Sequence, residues 1–83
     1  MDAKVKKRIE DIILSDIGID PAAVDADKPI REQVSLDSMQ FVSLIAKLEI
    51  ELEVELPIAI MQVKTLREFY SAVEQALKEP TPS

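Results

Sequence analysis

Between Asp37 and Pro57 the chain carries apolar residues at Phe41, Leu44, Ile45, Leu48 and Leu52, separated by threes and fours. At the helical period these five fall on one side, and a stripe of that width has to be buried against other elements. Asp37 is a good helix cap, and Gln40 three residues on completes a capping-box-like pair. Ser38 is then the first helical residue, with its hydroxyl at the positive end of the helix dipole. Free backbone N–H groups and the dipole both favour an anion there, so a phosphodiester on this serine would be well placed. Pro57 stops whatever follows the helix.

The same signals recur on both sides. Asp2 can cap a first helix whose buried stripe is Val5, Ile9, Ile12, Ile13 and Ile17, and Gly18 ends it as a left-handed residue with Ile19 just beyond. Lys4, Lys6, Lys7 and Arg8 make a basic patch at the unfavourable end of that dipole, read chiefly as a solvated face. Residues 20–35 form a long connection in which Asp20 and Pro21 start one helical turn. Val24, Ile30 and Val34 are its expected anchors in the core. Glu51, Glu53 and Glu55 alternate with Leu52, Val54 and Leu56, a strand's period too short and isolated to find a sheet. The stretch reads as a frayed helix end and an extended turn into Pro57. Ile58, Ala59, Ile60 and Met61 predict a short third helix that cannot bury all four. Thr65-Leu66-Arg67-Glu68 is a capping box, opening a last helix with Leu66, Phe69, Tyr70, Val73 and Leu77 on one face. The expected fold is all-α. It is a four-helix bundle of three main helices plus a short third helix, with a long loop between helices one and two, over residues 1–78. Residues 79–83, with two prolines, are expected to be a disordered tail.

Eighty-three residues make one small domain, near the lower limit for a core without staples. The absence of cysteine and histidine excludes disulfides, thiolate metal sites and histidine-based triads. A formal charge of −6 with 4% aromatic residues argues against nucleic acid and for basic protein surfaces as partners. Asp25 and Asp27 invite a calcium-loop reading, which fails because Pro29 sits where a ligand belongs and no glycine follows at the required turn; no metal site is expected. No segment is long or apolar enough to span a membrane, and no signal-peptide core follows the charged start. The expectation is a free-standing cytoplasmic monomer.

Asp37-Ser38-Met39 resembles the Asp-Ser-Leu signature of the acyl carrier protein family, with Met39 in place of leucine. The likeness continues through Val42, Leu44, Leu48-Glu49 and Glu55-Leu56-Pro57. Ile17-Gly18-Ile19 resembles the family's leucine-glycine-valine stop of the first helix. It covers roughly Val5 to Leu77 without insertion or deletion. The resemblance implies that a phosphopantetheinyl transferase, using coenzyme A and magnesium, attaches 4′-phosphopantetheine to Ser38 Oγ. Asp37 would assist by helping to hold the metal and the transferase's basic groups. The arm's thiol then carries acyl intermediates as thioesters, which suits a chain with no thiol of its own. The implied partners are the transferase and acyl-loading and acyl-processing enzymes. The implied role is a carrier in a fatty acid, polyketide or related dedicated acyl pathway, without catalytic residues, and so not an enzyme. An aminoacyl or peptidyl carrier and an unloaded helical interaction module are the alternatives.

The departures concern docking. Ser35 stands where the family often has glycine. Gln40, Ser43 and Lys47 occupy the first turns of a face that is usually acidic, and Ile50 interrupts the acids that follow. Met39, Gln40, Glu49, Ile58 and Met61 are the expected partner contacts. Phe41 stands near a position where the family carries small or medium side chains at the mouth of the acyl channel, and is expected to fill or gate that mouth.

Overall fold

A computed structural model describes residues 2–78, so the expected tail at 79–83 lies outside the described residues. Helix α1, Ala3–Ile17, begins where the Asp2 carboxylate accepts the Lys4 N–H at 2.7 Å. It ends at Gly18, whose φ of 72° is left-handed and whose N–H donates to the Leu14 carbonyl at 2.9 Å. A Cβ at Gly18 would meet nothing within 4 Å, so backbone conformation alone calls for glycine there. Ile9, Ile12 and Ile13 are buried, with Val5 and Ile17 packed at the margin of the core. Two members of the basic patch serve intramolecular contacts: Arg8 lies 3.7 Å from Glu51, and the Lys6 ammonium stands 5.6 Å over the Tyr70 ring.

The long connection is more ordered than its composition suggests. Pro21–Ala23 make a 3₁₀ turn capped by Asp20, whose carboxylate accepts the Ala22 N–H at 3.0 Å. A one-turn helix, α2, follows at Ile30–Gln33, an element the sequence reading leaves inside the loop. Its last residue organises everything before it. The Gln33 amide oxygen accepts from Asp25 N–H at 2.7 Å, while its NH₂ donates to the carbonyls of Asp25 at 2.9 Å and Lys28 at 3.1 Å. The loop is then pinned to the last helix by Ile30 N–H on the Lys64 carbonyl (2.8 Å) and Arg67 N–H on the Ala26 carbonyl (3.1 Å). The Asp27 carboxylate takes two bonds from the Arg67 guanidinium, which holds its pKa below the usual carboxylate value. Val24 and Ile30 pack against the core as expected. Val34 does not serve as the third anchor: it is not among the side chains packed against the core, whereas Leu36 two residues later is.

Helix α3, Ser38–Leu52, buries Phe41, Leu44 and Leu48, with Ile45 and Leu52 at the edge of the core. Its end is sharp and not frayed. Glu53 adopts a left-handed conformation, φ 51°, and the N–H groups of Glu53 and Val54 both return to the Glu49 carbonyl. The Glu49 carboxylate then accepts the Leu56 N–H at 3.0 Å, which fixes the turn into Pro57. A left-handed L-residue costs about 1–2 kcal/mol relative to the right-handed region, and glycine avoids most of that. Glu53→Gly is therefore expected to stabilise the fold by about 1 kcal/mol in chemical denaturation. An unchanged or lower midpoint would show that the Glu53 side chain supports the turn.

Ile58–Gln62 form a 3₁₀ helix with Ile60 buried, Met61 half-buried, and Ile58 and Ala59 exposed. Helix α4, Leu66–Lys78, buries Leu66, Phe69 and Val73. Glu68 N–H donates to Thr65 Oγ1 at 3.1 Å, but the Glu68 carboxylate reaches back to Lys64 N–H at 3.5 Å and not to Thr65. Thr65 also pairs with Pro29 in an isolated antiparallel bridge. Leu77, expected on the buried face, is 38% exposed, and Ala72 and Ala76 pack against the core in this part of the helix. Among the described residues the fold is all-α, with no strand and no helix long and apolar enough to cross a membrane.

Candidate functional site

Asp37 is extended (φ −93°, ψ 169°) and turns the chain into α3. Its Oδ1 accepts the Gln40 N–H at 2.8 Å, and the Gln40 side-chain oxygen accepts the Asp37 N–H at 3.0 Å, so the capping box is complete. The Asp37 carbonyl takes the Phe41 N–H at 3.1 Å. Four N–H groups start any helix without an intrahelical partner in the preceding turn. The capping box satisfies two of them, those of Gln40 and Asp37, and the N–H groups of Ser38 and Met39 have no partner among the described residues. Ser38 itself is exposed. The site thus consists of one open hydroxyl, two free amide donors and the positive end of a 15-residue helix. That set suits a singly charged phosphodiester, which needs donors and positive potential but no buried cation. No group of three or more acidic, histidine or cysteine residues that could hold a metal occurs among the described residues.

Asp37→Ala removes the carboxylate that accepts the Gln40 N–H and leaves the bond from the Asp37 backbone N–H to the Gln40 side chain. We expect a loss of about 0.5–2 kcal/mol in stability, measurable by denaturation, together with slower modification of Ser38. Full-speed modification would confine Asp37 to the cap.

The expected partner contacts separate into two sets. Met39 is 77% exposed and Ile58 88% exposed, so both face outward. Gln40, Glu49 and Met61 are half-buried; Gln40 is engaged in the cap, Glu49 holds Leu56, and Met61 packs against the core.

Directly below the serine's turn lies Phe41, 5% exposed, its ring 6.0 Å from that of Phe69 at a tilt of 53°. It borders an entirely apolar cavity of about 30 Å³ whose other walls include Ile13, Ile17 and Leu44 from the helices and Ile19, Pro21, Val24, Ile30 and Leu36 from the loop. A second cavity of about 20 Å³ is walled by Phe41, Ile30, Leu36 and Val63 together with Arg31 and Lys64. The sequence reading missed Leu36. It stands immediately before the cap and Phe41 four residues after it, the positions of a hydrophobic staple, so the signal was present.

The domain exposes a hydroxyl at a helix start beside a core filled by side chains. Comparison with known proteins gives the class of this domain its name. Residues 7–73 match the family described as the phosphopantetheine attachment site. The acyl carrier protein of Bdellovibrio bacteriovorus is 28% identical over 72 residues, covering 86% of this chain and 92% of its own. That of Chlorobium phaeobacteroides is 30% identical over 56 residues, 68% of this chain and 72% of the relative, and that of Campylobacter curvus 35% over 49 residues, 59% and 64%. No solved structure matches the chain significantly. The chain belongs to the acyl carrier protein family, whose cofactor is covalently attached 4′-phosphopantetheine.

Proposed function

We propose that Ser38 Oγ is the attachment point and that the protein carries acyl groups for a fatty acid, polyketide or related dedicated acyl pathway. The observation that supports this most is the geometry of the α3 start, where the hydroxyl is exposed and Asp37 leaves the two amides nearest it free. In the loading reaction Ser38 Oγ forms a bond to the phosphorus that bears pantetheine in coenzyme A. The pyrophosphate bond breaks, adenosine 3′,5′-bisphosphate leaves, and the serine proton passes to a base on the transferase. The amides of Ser38 and Met39 then stand beside the new phosphodiester, and the helix dipole favours its charge. When bound, the arm supplies a terminal thiol that holds an acyl group as a thioester. The chain's own residues supply presentation and no catalysis. In this reading the carrier is a cytoplasmic monomer, its copies held apart by a formal charge of −6.

Incubation with coenzyme A, magnesium and several broad-specificity transferases tests the proposal. Intact mass should rise by one phosphopantetheine, and peptide mapping should place it on Ser38. A protein left unmodified by all of them would be an interaction module with a carrier fold.

A further inference from the structure

The second cavity beside Phe41 differs from the first in having charged walls. Ile30, Leu36, Phe41 and Val63 make its apolar side, and the two remaining walls, Arg31 and Lys64, are both cations. The Ile30 N–H bond to the Lys64 carbonyl, 2.8 Å, brings together the two segments that carry them, α2 and the residues before α4. Both side chains are exposed, and neither has an ion-pair or hydrogen-bond partner among the described residues. Arg8, Lys47, Arg67 and Lys78, by contrast, each lie against a carboxylate. Glu32 follows Arg31 in the chain and the Glu68 carboxylate accepts the Lys64 N–H at 3.5 Å, but neither borders the cavity. In a chain of 16 acids and 10 bases, two unpaired cations at one cavity make a local site of positive potential.

Its position relative to Ser38 decides what can reach it. Leu36 and Phe41 stand two residues before the serine and three after it, so the Cα of Leu36 lies within about 7 Å of that of Ser38. A group tethered to Ser38 Oγ therefore starts near this cavity. At about 20 Å³ the cavity cannot admit an acyl chain, so short cargo stays at its edge, between the apolar floor and the two cations. An uncharged chain gains nothing from them, and the phosphodiester already has the two free amides of the helix start. We propose that Arg31 and Lys64 bind the free carboxylate of short acyl cargo, so that this carrier favours thioesters with a second, anionic end. The inference rests on Ser38 as the attachment point and adds the class of cargo. It suits a carrier whose interior is closed by the buried Phe41, because selection then takes place at the surface. The two cations also offset the repulsion that a formal −6 exerts on an anionic guest.

The test compares two cargoes of equal length, succinyl and butyryl, loaded on Ser38 from their coenzyme A thioesters. The terminal carboxylate of isotope-labelled succinyl is titrated by NMR on wild type, on the double variant Arg31→Gln with Lys64→Gln, and on Lys28→Gln. We expect its pKa on wild type to lie about 0.5 or more below that of the same thioester on free pantetheine, because adjacent cations favour the charged form. The chain's overall negative charge alone would raise it. The lowering should shrink by roughly half or more in about 0.5 M NaCl, and be lost in the double variant. Lys28→Gln removes an exposed cation of the same loop that borders neither cavity, and should keep it. The amide signals of Arg31 and Lys64 should move on succinyl loading and stay in place with butyryl. A carboxylate pKa equal to that on free pantetheine, or equally lowered in the double variant, overturns the proposal, while loading itself still supports Ser38. Amide signals that move alike with the unacylated arm, butyryl and succinyl would assign the cations to the phosphodiester and overturn it too. Failure of wild type to load with any transferase defeats the underlying reading and this inference together.

Discussion

Phe41→Ala is expected to destabilise the fold by about 3–5 kcal/mol, the usual loss for a buried phenylalanine truncated to alanine. The residue is 5% exposed, stacks at a tilt on Phe69, and borders the apolar cavity and the second, partly polar one. Domains of this size have roughly 5–15 kcal/mol in total, so the variant sits near the edge of folding. Its second effect concerns cargo. The apolar cavity beside Phe41, about 30 Å³, has room for a water or two and too little for an acyl chain. In the wild type a long chain must displace the ring or lie outside the bundle; in Phe41→Ala the vacated volume adjoins the cavity already present. Loading Ser38 with chains of increasing length should stabilise Phe41→Ala progressively and wild type little, read as melting temperature. Equal stabilisation of both would make Phe41 an ordinary core residue. Phe41→Leu keeps the comparison available if the alanine variant does not fold.

Ser38→Ala should abolish loading altogether while changing stability by less than about 0.5 kcal/mol. The two effects separate because the hydroxyl takes part in no hydrogen bond among the described residues, whereas the capping is done by Asp37 and Gln40. Alanine is a good helix former at the first position. Intact mass after incubation with coenzyme A and transferase gives the first result, and a denaturation curve the second. A phosphopantetheine mass retained by Ser38→Ala would move the attachment to another hydroxyl, Ser35 first among them.

The three long helices and the cap at Asp37 were legible because each rests on local rules. The threes-and-fours spacing, a short polar cap and a glycine stop act within a few residues of one another. What was not legible depends on partners far along the chain. Helix α2 is too short to show a period, and the Gln33 side chain that organises the loop finds three of its four partners in the backbone five or eight residues away. Thr65 reads as a regular capping box, yet Pro29 pairs with it from across the fold and the Glu68 carboxylate settles one residue upstream. Leu36 was overlooked in favour of Val34 because spacing cannot tell which of two apolar loop residues faces inward, although the staple rule could have. At Glu53 the sequence offers glutamate where a left-handed stop favours glycine, so the sharp end of α3 looked like fraying. For the site, position and capping were readable. Its surroundings were less so, since Glu49 and Met61 turn out to be engaged within the protein.

The bonds around Gln33 have a consequence for how the interior could be entered. They close the loop upon itself, between residues 25 and 33, independently of the helices beneath it. Its seam with α4 and the segment before it consists of the Ile30–Lys64 and Ala26–Arg67 backbone bonds, the Asp27–Arg67 pair and the Pro29–Thr65 bridge. Of the cavity's walls Ile30 alone lies within this closed segment, while Pro21 and Val24 belong to the separate 3₁₀ turn before it. Opening the cavity beside Ile30 would break the contacts of the seam and leave the bonds around Gln33 intact.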